Sequence, residues 1–458
     1  MPDFDDLGPD DELDDLLDDE PEGHAPRGRF ARLMKLGGLT TSVGASLVGD
    51  RLVGRILPDS VREARTKKMI EKNAAKMVRT MGELKGAAMK LGQILSMAPL
   101  QEEHIPEELR DALAVLQRSA PPMGWKMVCD QIEEAFDQPV ESLYRFFDPA
   151  PLASASIGQV HRAELFDGTP VAVKVQYPGV EQTLVADLKN IATMAQMGRP
   201  FASARSIDEV LEEIREVLAQ ESDYRVEADN LRAFHEALAG RDDVRVPRPV
   251  GELTRKTVLT MELMEGRKLD HWLLERAPEK RSEVVRHFID LVAWLFYEKQ
   301  LLHADPHPGN YLIDAEGKLV ILDFGAVRTY DPAFTDDLLR LLVTVWEGRV
   351  DELPALFARL GFGEGKVTVS GEVLDEWLKL VVAPLFHEGP FAFGKWNPHN
   401  DTNRFMLRHP SLIGLTPPRE MIFYGRTAIG IWGLMQRLDI TIDVKQLSRE
   451  IIARRGLL

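Results

Sequence analysis

The sequence has almost no cysteine, no excess of basic residues and no long uncharged apolar run, and each absence excludes a class of protein. The one cysteine, Cys129, rules out an internal disulfide and a cysteine-based metal cluster, and it fits a reducing compartment. The net charge of −17 argues against a nucleic-acid binder, which needs a basic face. No uncharged apolar run reaches the roughly 18 residues of a membrane-spanning helix. The acidic start does not resemble a signal peptide, so we expect a cytoplasmic protein.

The charge is unevenly distributed along the chain. Residues 1–22 hold twelve acidic and no basic residues, so 1–26 is predicted to be a disordered acidic tail, or alternatively a docking helix. Four basic residues then precede the uncharged stretch 36–49. The segment 27–49 could lie on the inner face of the cell membrane as a peripheral contact, or it could be a glycine-rich helix packed on the protein.

The order of periodicities predicts an α+β architecture. Helical spacing dominates 27–150, short Val-rich alternating runs follow in 151–265, and 266–458 returns to a mostly helical pattern. The strongest hairpin signal is the pair Gly158–Leu165 and Thr169–Tyr177, joined by Asp-Gly. We therefore predict an N-terminal helical extension, a strand-rich small lobe and a helical large lobe, in that order.

The strongest chemical signal is the string His-Ala-Asp-Pro-His-Pro-Gly-Asn at 303–310, followed by Asp-Phe-Gly at 323–325. Its order and spacing match the H-x-D-x-x-x-x-N…D-F-G arrangement of protein-kinase-like folds. In that arrangement Asp305 orients the attacking hydroxyl, while Asn310 and Asp323 hold Mg²⁺ across the phosphates of ATP. A zinc site made by His303, Asp305 and His307 is a formal alternative.

Val-Ala-Val-Lys at 171–174 supplies a lysine that could reach the nucleotide phosphates from a strand. Such a lysine needs a carboxylate partner, for which Glu221 is the first candidate and Glu227 the second. The turn before this strand has alanine and serine where a glycine-rich phosphate loop is expected, and its predicted nucleotide-binding residues are Ala153, Ser154, Ala155 and Ser156.

These residues, together with Lys-Leu-Gly-Gln at 90–93, resemble the UbiB family of atypical kinase-like proteins, associated with ubiquinone biosynthesis. The resemblance covers about 30–440 and implies a protein-kinase-like fold whose N-terminal extension carries the Lys-x-Gly-Gln motif and blocks protein substrates. It implies that Lys90 and Gln93 point into the nucleotide pocket, with Glu227 as the partner of Lys90 and Glu221 as the partner of Lys174. We also place Glu262 and Met264 among the nucleotide-binding residues.

The resemblance further implies ATP and Mg²⁺ as cofactors, ATPase activity, and work on quinone-precursor lipids beside quinone-biosynthesis proteins. Two departures stand out. The loop reads Ala-Ser-Ala-Ser rather than Ala-Ala-Ala-Ser, and the C-terminal residues 439–458 are charged where many bacterial members have spanning helices.

Other functions remain open from the residues alone. A small-molecule phosphotransferase of the aminoglycoside- or choline-kinase type has a similar 303–310 string, although it would lack the Lys-x-Gly-Gln helix. A nucleotide-gated scaffold with little turnover is a second alternative. A protein Ser/Thr kinase is disfavoured, because no Ala-Pro-Glu and no long activation segment follow Asp-Phe-Gly.

Overall fold

The structure is a computed structural model that describes residues 123–155, 157–180, 222–305 and 307–457. Within these ranges we number helices and strands in chain order. The helices are α1 (Trp125–Phe136), α2 (Val140–Leu143), α3 (Tyr224–Ala237), α4 (Leu269–Leu274), α5 (Pro278–Lys299), α6 (Pro332–Trp346), α7 (Leu353–Arg359), α8 (Gly371–Val381), α9 (His399–Arg408), α10 (Arg419–Arg437) and α11 (Val444–Arg454). The strands are β1 (Phe146–Ala155), β2 (Gly158–Glu164), β3 (Pro170–Gln176), β4 (Val244–Arg245), β5 (Pro249–Thr254), β6 (Val258–Glu262), β7 (Arg267–Lys268), β8 (Leu301–His303), β9 (Tyr311–Ile313), β10 (Leu319–Ile321), β11 (Val327–Thr329), β12 (Phe391–Ala392) and β13 (Thr441–Ile442).

The small lobe is built on a five-stranded antiparallel sheet in the order β1-β2-β3-β6-β5. Strand β3 alternates, as its sequence predicts. Val171, Val173 and Val175 pack with α1 on one side of the sheet, while Ala172 belongs to the core on the other side. Lys174 shares the second side with Ala172 and is therefore presented to α3 and the large lobe.

The large lobe is mostly helical, with short strands at the lobe junction. β4, β10, β9 and β7 form a four-stranded sheet in which β4 runs parallel to β10. β8 pairs with β11, and this pairing places the segment before Asp305 beside the segment after Asp-Phe-Gly. The second apolar core takes residues from seven helices: α5, α6, α7, α8, α9, α10 and α11. No described helix has the length and apolar content needed to cross a bilayer.

The α+β two-lobed prediction is confirmed, and several element boundaries are corrected. The Val-rich pattern of 244–250 predicts a single strand, but the structure has two, β4 and β5, because proline at 247 and 249 interrupts the run. The helical pattern of 267–302 predicts one helix, but the structure has two, α4 and α5, and the segment ends in strand β8. The division into 1–26, 27–150, 151–265 and 266–458 stays a prediction, and most of its first two parts lies outside the described residues.

Gly158 begins β2 where no side chain fits. A Cβ atom there would lie 2.2 Å from the carbonyl oxygen of Val175 on the neighbouring strand. We expect Gly158→Ala to lower the free energy of unfolding by about 1–3 kcal/mol, since packing against backbone cannot relax cheaply. Gly425→Ala in helix α10 is the matched control, because nothing lies within 4 Å of its new methyl group. Equal denaturation midpoints for the two variants would contradict this account.

Candidate active site

Lys174 and Glu227 form the buried centre of the site. Lys174 projects from β3, Glu227 projects from the first turn of α3, and the two residues are 6% and 4% exposed. The lysine Nζ donates to both carboxylate oxygens of Glu227, at 2.6 and 2.8 Å. The Lys174 Nζ is also 3.9 Å from Oδ2 of Asp323. This lysine is therefore fixed at the junction of the two lobes.

The lysine partner is Glu227, which corrects the sequence prediction of Glu221. Asp223 caps α3 by accepting a hydrogen bond from the backbone N–H of Arg225, so the helix begins at Tyr224. Glu227 is thus in the first turn, on the buried side of the helix. Glu221, Lys90, Gln93 and Ser156 lie outside the described residues; apart from the pairing of Glu221 with Lys174, which is corrected, their predicted roles stay predictions.

Electrostatics keep Lys174 charged. Burial on its own would lower the pKa of its ammonium group, but the nearby carboxylates of Asp323 and Glu227 outweigh burial and raise the pKa well above its usual value. A lysine whose charged form is favoured in this way is suited to holding an anion such as a phosphate.

The Asp-Phe-Gly segment is held by a hydrogen bond within itself and by two from helix α3. Oδ1 of Asp323 accepts a hydrogen bond from the backbone N–H of Gly325 at 2.9 Å, which sets the orientation of its carboxylate. The backbone N–H of Phe324 donates to Glu227 at 3.4 Å. The side-chain amide of Asn230 donates to the carbonyl oxygen of Phe324 at 2.8 Å. Helix α3 therefore positions the lysine and the Asp-Phe-Gly backbone together.

Asp305 and Asn310 face each other across the turn that joins β8 and β9. The side-chain Nδ2 of Asn310 donates to Oδ2 of Asp305 at 3.0 Å and to the Asp305 carbonyl oxygen at 3.3 Å. Because Nδ2 makes both of these bonds, Oδ1 of Asn310 is the atom that remains to ligate a cation. The spacing of five residues thus brings the two side chains into contact, and their roles toward a nucleophile and Mg²⁺ stay predictions.

His303 acts as a structural residue. It is 4% exposed, its Nε2 contacts the backbone carbonyl oxygen of Asp323, and its Nδ1 is 3.1 Å from the hydroxyl of Tyr311. Both ring nitrogens are thereby used. The described residues contain no group of three His, Cys, Asp or Glu side chains arranged to hold a metal. The zinc alternative at His303, Asp305 and His307 is therefore not supported.

The alanine-rich turn and the end of β6 differ from their sequence predictions. Ala153, Ser154 and Ala155 are not loop residues but the end of β1, and Ala155 pairs with Gly158 across a tight hairpin. The side chains of Glu262 and Met264 line a cavity that does not include Lys174 or Asp323. Nucleotide binding by these five residues, Ala153, Ser154, Ala155, Glu262 and Met264, stays a prediction.

Three supporting residues were missed at the sequence level: Asn230, Tyr311 and Gln159. Gln159 is fully buried and accepts a hydrogen bond from the backbone N–H of Met123 at 2.8 Å, which ties the chain before α1 to the small-lobe sheet. The sequence does contain an indication of the role of Asn230. It is three residues after Glu227, and residues at that spacing are neighbours on a helix surface.

The charged and polar groups of the site match the chemistry of a nucleoside triphosphate with Mg²⁺. Lys174 provides a fixed cation for phosphate oxygens, and Asp323 and Asn310 provide a carboxylate and an amide oxygen for a hard cation. Mg²⁺ is usually held by one or two carboxylates plus substrate phosphates, so a cage of three acidic side chains is not needed.

The two lobes, the lysine–glutamate pair and the Asp–Asn–Asp set define a protein-kinase-like protein. Comparison with known proteins narrows this class. Residues 115–354, more than half of the chain, match the ABC1 atypical kinase-like domain. The chain belongs to this family, the UbiB-type atypical kinases.

Relatives support the assignment over nearly the whole chain. The mitochondrial atypical kinase coq-8 of Caenorhabditis elegans is 30% identical over 449 residues, which cover 94% of this chain and 58% of that protein. The mitochondrial atypical kinase COQ8B of Rattus norvegicus is 30% identical over 451 residues, covering 96% of this chain and 83% of that protein. Among solved structures, a complex of Rv3197 with erythromycin from Mycobacterium tuberculosis is 29% identical and has a TM-score of 0.59, covering 85% of this chain and 98% of that one.

Proposed function

We propose that this protein is a Mg²⁺-dependent ATPase of the atypical kinase type that supports isoprenoid quinone (ubiquinone) biosynthesis at a membrane surface. The observation that carries the enzymatic part is that Lys174 lies beside Asp323 and Asn310 bonds Asp305, while the backbone N–H of Leu322 donates to the carbonyl oxygen of Asn310 at 2.9 Å and so brings the two pairs together. In the proposed reaction Lys174 binds phosphate oxygens, and Asp305 orients the attacking nucleophile, which we take to be water. Mg²⁺ would neutralise charge on the phosphates, held by Asn310 and Asp323.

The quinone part of the proposal rests on family membership. The named relatives in worm and rat are atypical kinases of the mitochondrial coq-8 and COQ8B type. We propose that this chain works in a comparable lipid context, beside quinone-biosynthesis proteins and on quinone-precursor lipids. No described helix is long and apolar enough to cross a bilayer. The membrane contact that we propose is peripheral, and its segment is 27–49.

A genetic experiment tests this proposal. Deleting the gene in its host should lower the quinone content of extracted lipids and raise that of quinone precursors. Wild-type protein should restore the quinones, whereas Lys174→Met and Asp323→Asn should not. Normal quinone levels in the deletion strain would contradict the biosynthetic role. The ATPase proposal is tested separately, by measuring ATP hydrolysis.

An enzymatic measurement separates the alternatives. Purified full-length protein is assayed for ATP hydrolysis with Mg²⁺, with and without anionic liposomes. We expect ADP and inorganic phosphate in equal amounts, at a higher rate with liposomes. A phosphorylated metabolite formed alongside ADP would favour the small-molecule phosphotransferase. Nucleotide binding without hydrolysis under every lipid condition would favour the scaffold.

A further inference from the structure

A cavity lies between the helices of the large lobe, apart from the proposed active site. Residues of α5, α6, α8, α10 and α11 form most of its wall, and Leu302 of β8 completes one side. Its volume is about 190 Å³. None of the proposed active-site residues Lys174, Asp305, Asn310 and Asp323 lines it. A ligand in this cavity would therefore not occupy the nucleotide site.

The wall of the cavity is apolar. Most of its side chains are aliphatic or aromatic, and several of them, such as Leu339, Met435 and Leu447, are buried. Among the described residues that line it, none is charged. An engineered cavity of about 150 Å³ with a comparable wall of Leu, Ile and Phe stays free of water and binds benzene. The size and the wall of this cavity therefore suit an apolar molecule with a single ring.

Two hydroxyl groups in the wall are already used by the protein. The side chain of Thr427 donates to the carbonyl oxygen of Phe423 at 3.1 Å, and that of Ser448 donates to the carbonyl oxygen of Val444 at 2.9 Å. Both are bonds from a hydroxyl to the preceding turn of its own helix. The protons of these two hydroxyls are thus not available to a ligand.

Two tyrosines in the wall leave one proton over. The hydroxyl oxygens of Tyr297 on α5 and Tyr424 on α10 are 2.9 Å apart, and both residues line the cavity. Burial raises the pKa of both hydroxyls, so each keeps its proton at neutral pH. Since the pair shares one hydrogen bond, the second O–H has no acceptor among the described residues. A buried donor without an acceptor is unfavourable, and an oxygen atom of a ligand would satisfy it.

We propose that this cavity binds a small apolar molecule, or the end group of a larger one, that consists of one ring with an oxygen acceptor. The oxygen accepts the spare proton of the Tyr297–Tyr424 pair and is held between α5 and α10. The ring packs against the aliphatic wall, where burial of its apolar surface provides most of the affinity. Neither ATP nor Mg²⁺ takes part in this binding.

Titration calorimetry on the full chain without nucleotide tests the hydrogen bond. The probes are acetophenone and α-methylstyrene, which has a CH₂ group where acetophenone has its carbonyl oxygen. In Tyr297→Phe/Tyr424→Phe the dissociation constant of acetophenone should rise about fivefold, the loss expected for one neutral hydrogen bond, while that of α-methylstyrene should not rise. An unchanged affinity for acetophenone, an equal loss for both probes, or no binding by the wild type would overturn the proposal.

A second pair of variants tests the location. Ala428 lines the cavity, so the larger side chain of Ala428→Leu takes up part of its volume. Both probes should bind this variant at least about tenfold more weakly. Ala453→Leu is the matched control, because Ala453 is exposed on α11 outside the cavity, and its affinities should stay within about twofold of the wild type. Undiminished binding to folded Ala428→Leu would place the probes elsewhere and overturn the proposal. The tyrosine variant removes only two hydroxyls and decides the matter by itself if Ala428→Leu does not fold.

Discussion

Asp323→Asn should lower the rate of Mg²⁺-dependent ATP hydrolysis at least about 100-fold, the scale expected when a charged group that stabilises a transition state is neutralised. The asparagine keeps the size of the side chain, and its Oδ1 can still accept from the backbone N–H of Gly325. What it loses is the negative charge that would hold Mg²⁺ and that lies 3.9 Å from the Nζ of Lys174. The fold should therefore survive while catalysis does not.

Asp351→Asn is the matched control for this variant. Asp351 is exposed in the large lobe, and the described residues provide its side chain with no hydrogen bond or ion pair. Both variants should keep the wild-type denaturation midpoint, and only Asp323→Asn should lose hydrolysis. If Asp323→Asn hydrolyses ATP at the wild-type rate, Asp323 and its neighbours are not the catalytic site.

The four residues of the proposed active site were predictable because their spacing is local and chemically restrictive. Asp305 and Asn310 lie in one turn, and a hairpin brings Asp323 back beside them. The alternation of β3 likewise places Lys174 opposite its valine neighbours. In these cases the nearby sequence determines the direction of each side chain.

The partner of Lys174 depended on where α3 begins. If one helix continued through 206–239, Glu221 and Glu227 would be equally plausible partners. Tyr224, Ala228, Leu231 and Phe234 form the buried stripe of the helix, and Glu227 lies within that stripe. The cap at Asp223, preceded by a serine, marks the start of the helix. Reading the cap and the stripe together would have selected Glu227.

The elements that could not be predicted depend on contacts between distant parts of the chain. Strand β1 contains two prolines and is mostly exposed, so neither its composition nor its alternation indicates a strand. It exists because β2 pairs with it. The buried side chain of Gln159 likewise depends on segments that meet only in the folded chain.

Glu227→Gln should lower the free energy of unfolding by about 3–5 kcal/mol, because it breaks a buried ion pair and leaves the ammonium group of Lys174 without its closest counter-charge. It should also abolish most ATP hydrolysis, since Glu227 fixes both Lys174 and the backbone N–H of Phe324. Glu221→Gln is the discriminating control. Chemical denaturation and ATPase assays should show a large loss for Glu227→Gln and a small change for Glu221→Gln, and the reverse order would restore the original assignment.

A double variant separates stability from catalysis at the same pair. In Lys174→Met/Glu227→Leu both charges are replaced by apolar side chains in a position where the wild-type residues are 6% and 4% exposed. Replacing a buried ion pair by apolar residues of similar volume is often neutral or stabilising. The double variant should therefore recover most of the stability lost in Glu227→Gln, yet remain inactive because no cation is left to hold phosphate. If it recovers activity along with stability, Lys174 has no role in phosphate binding and the pair serves only to hold α3 against the sheet.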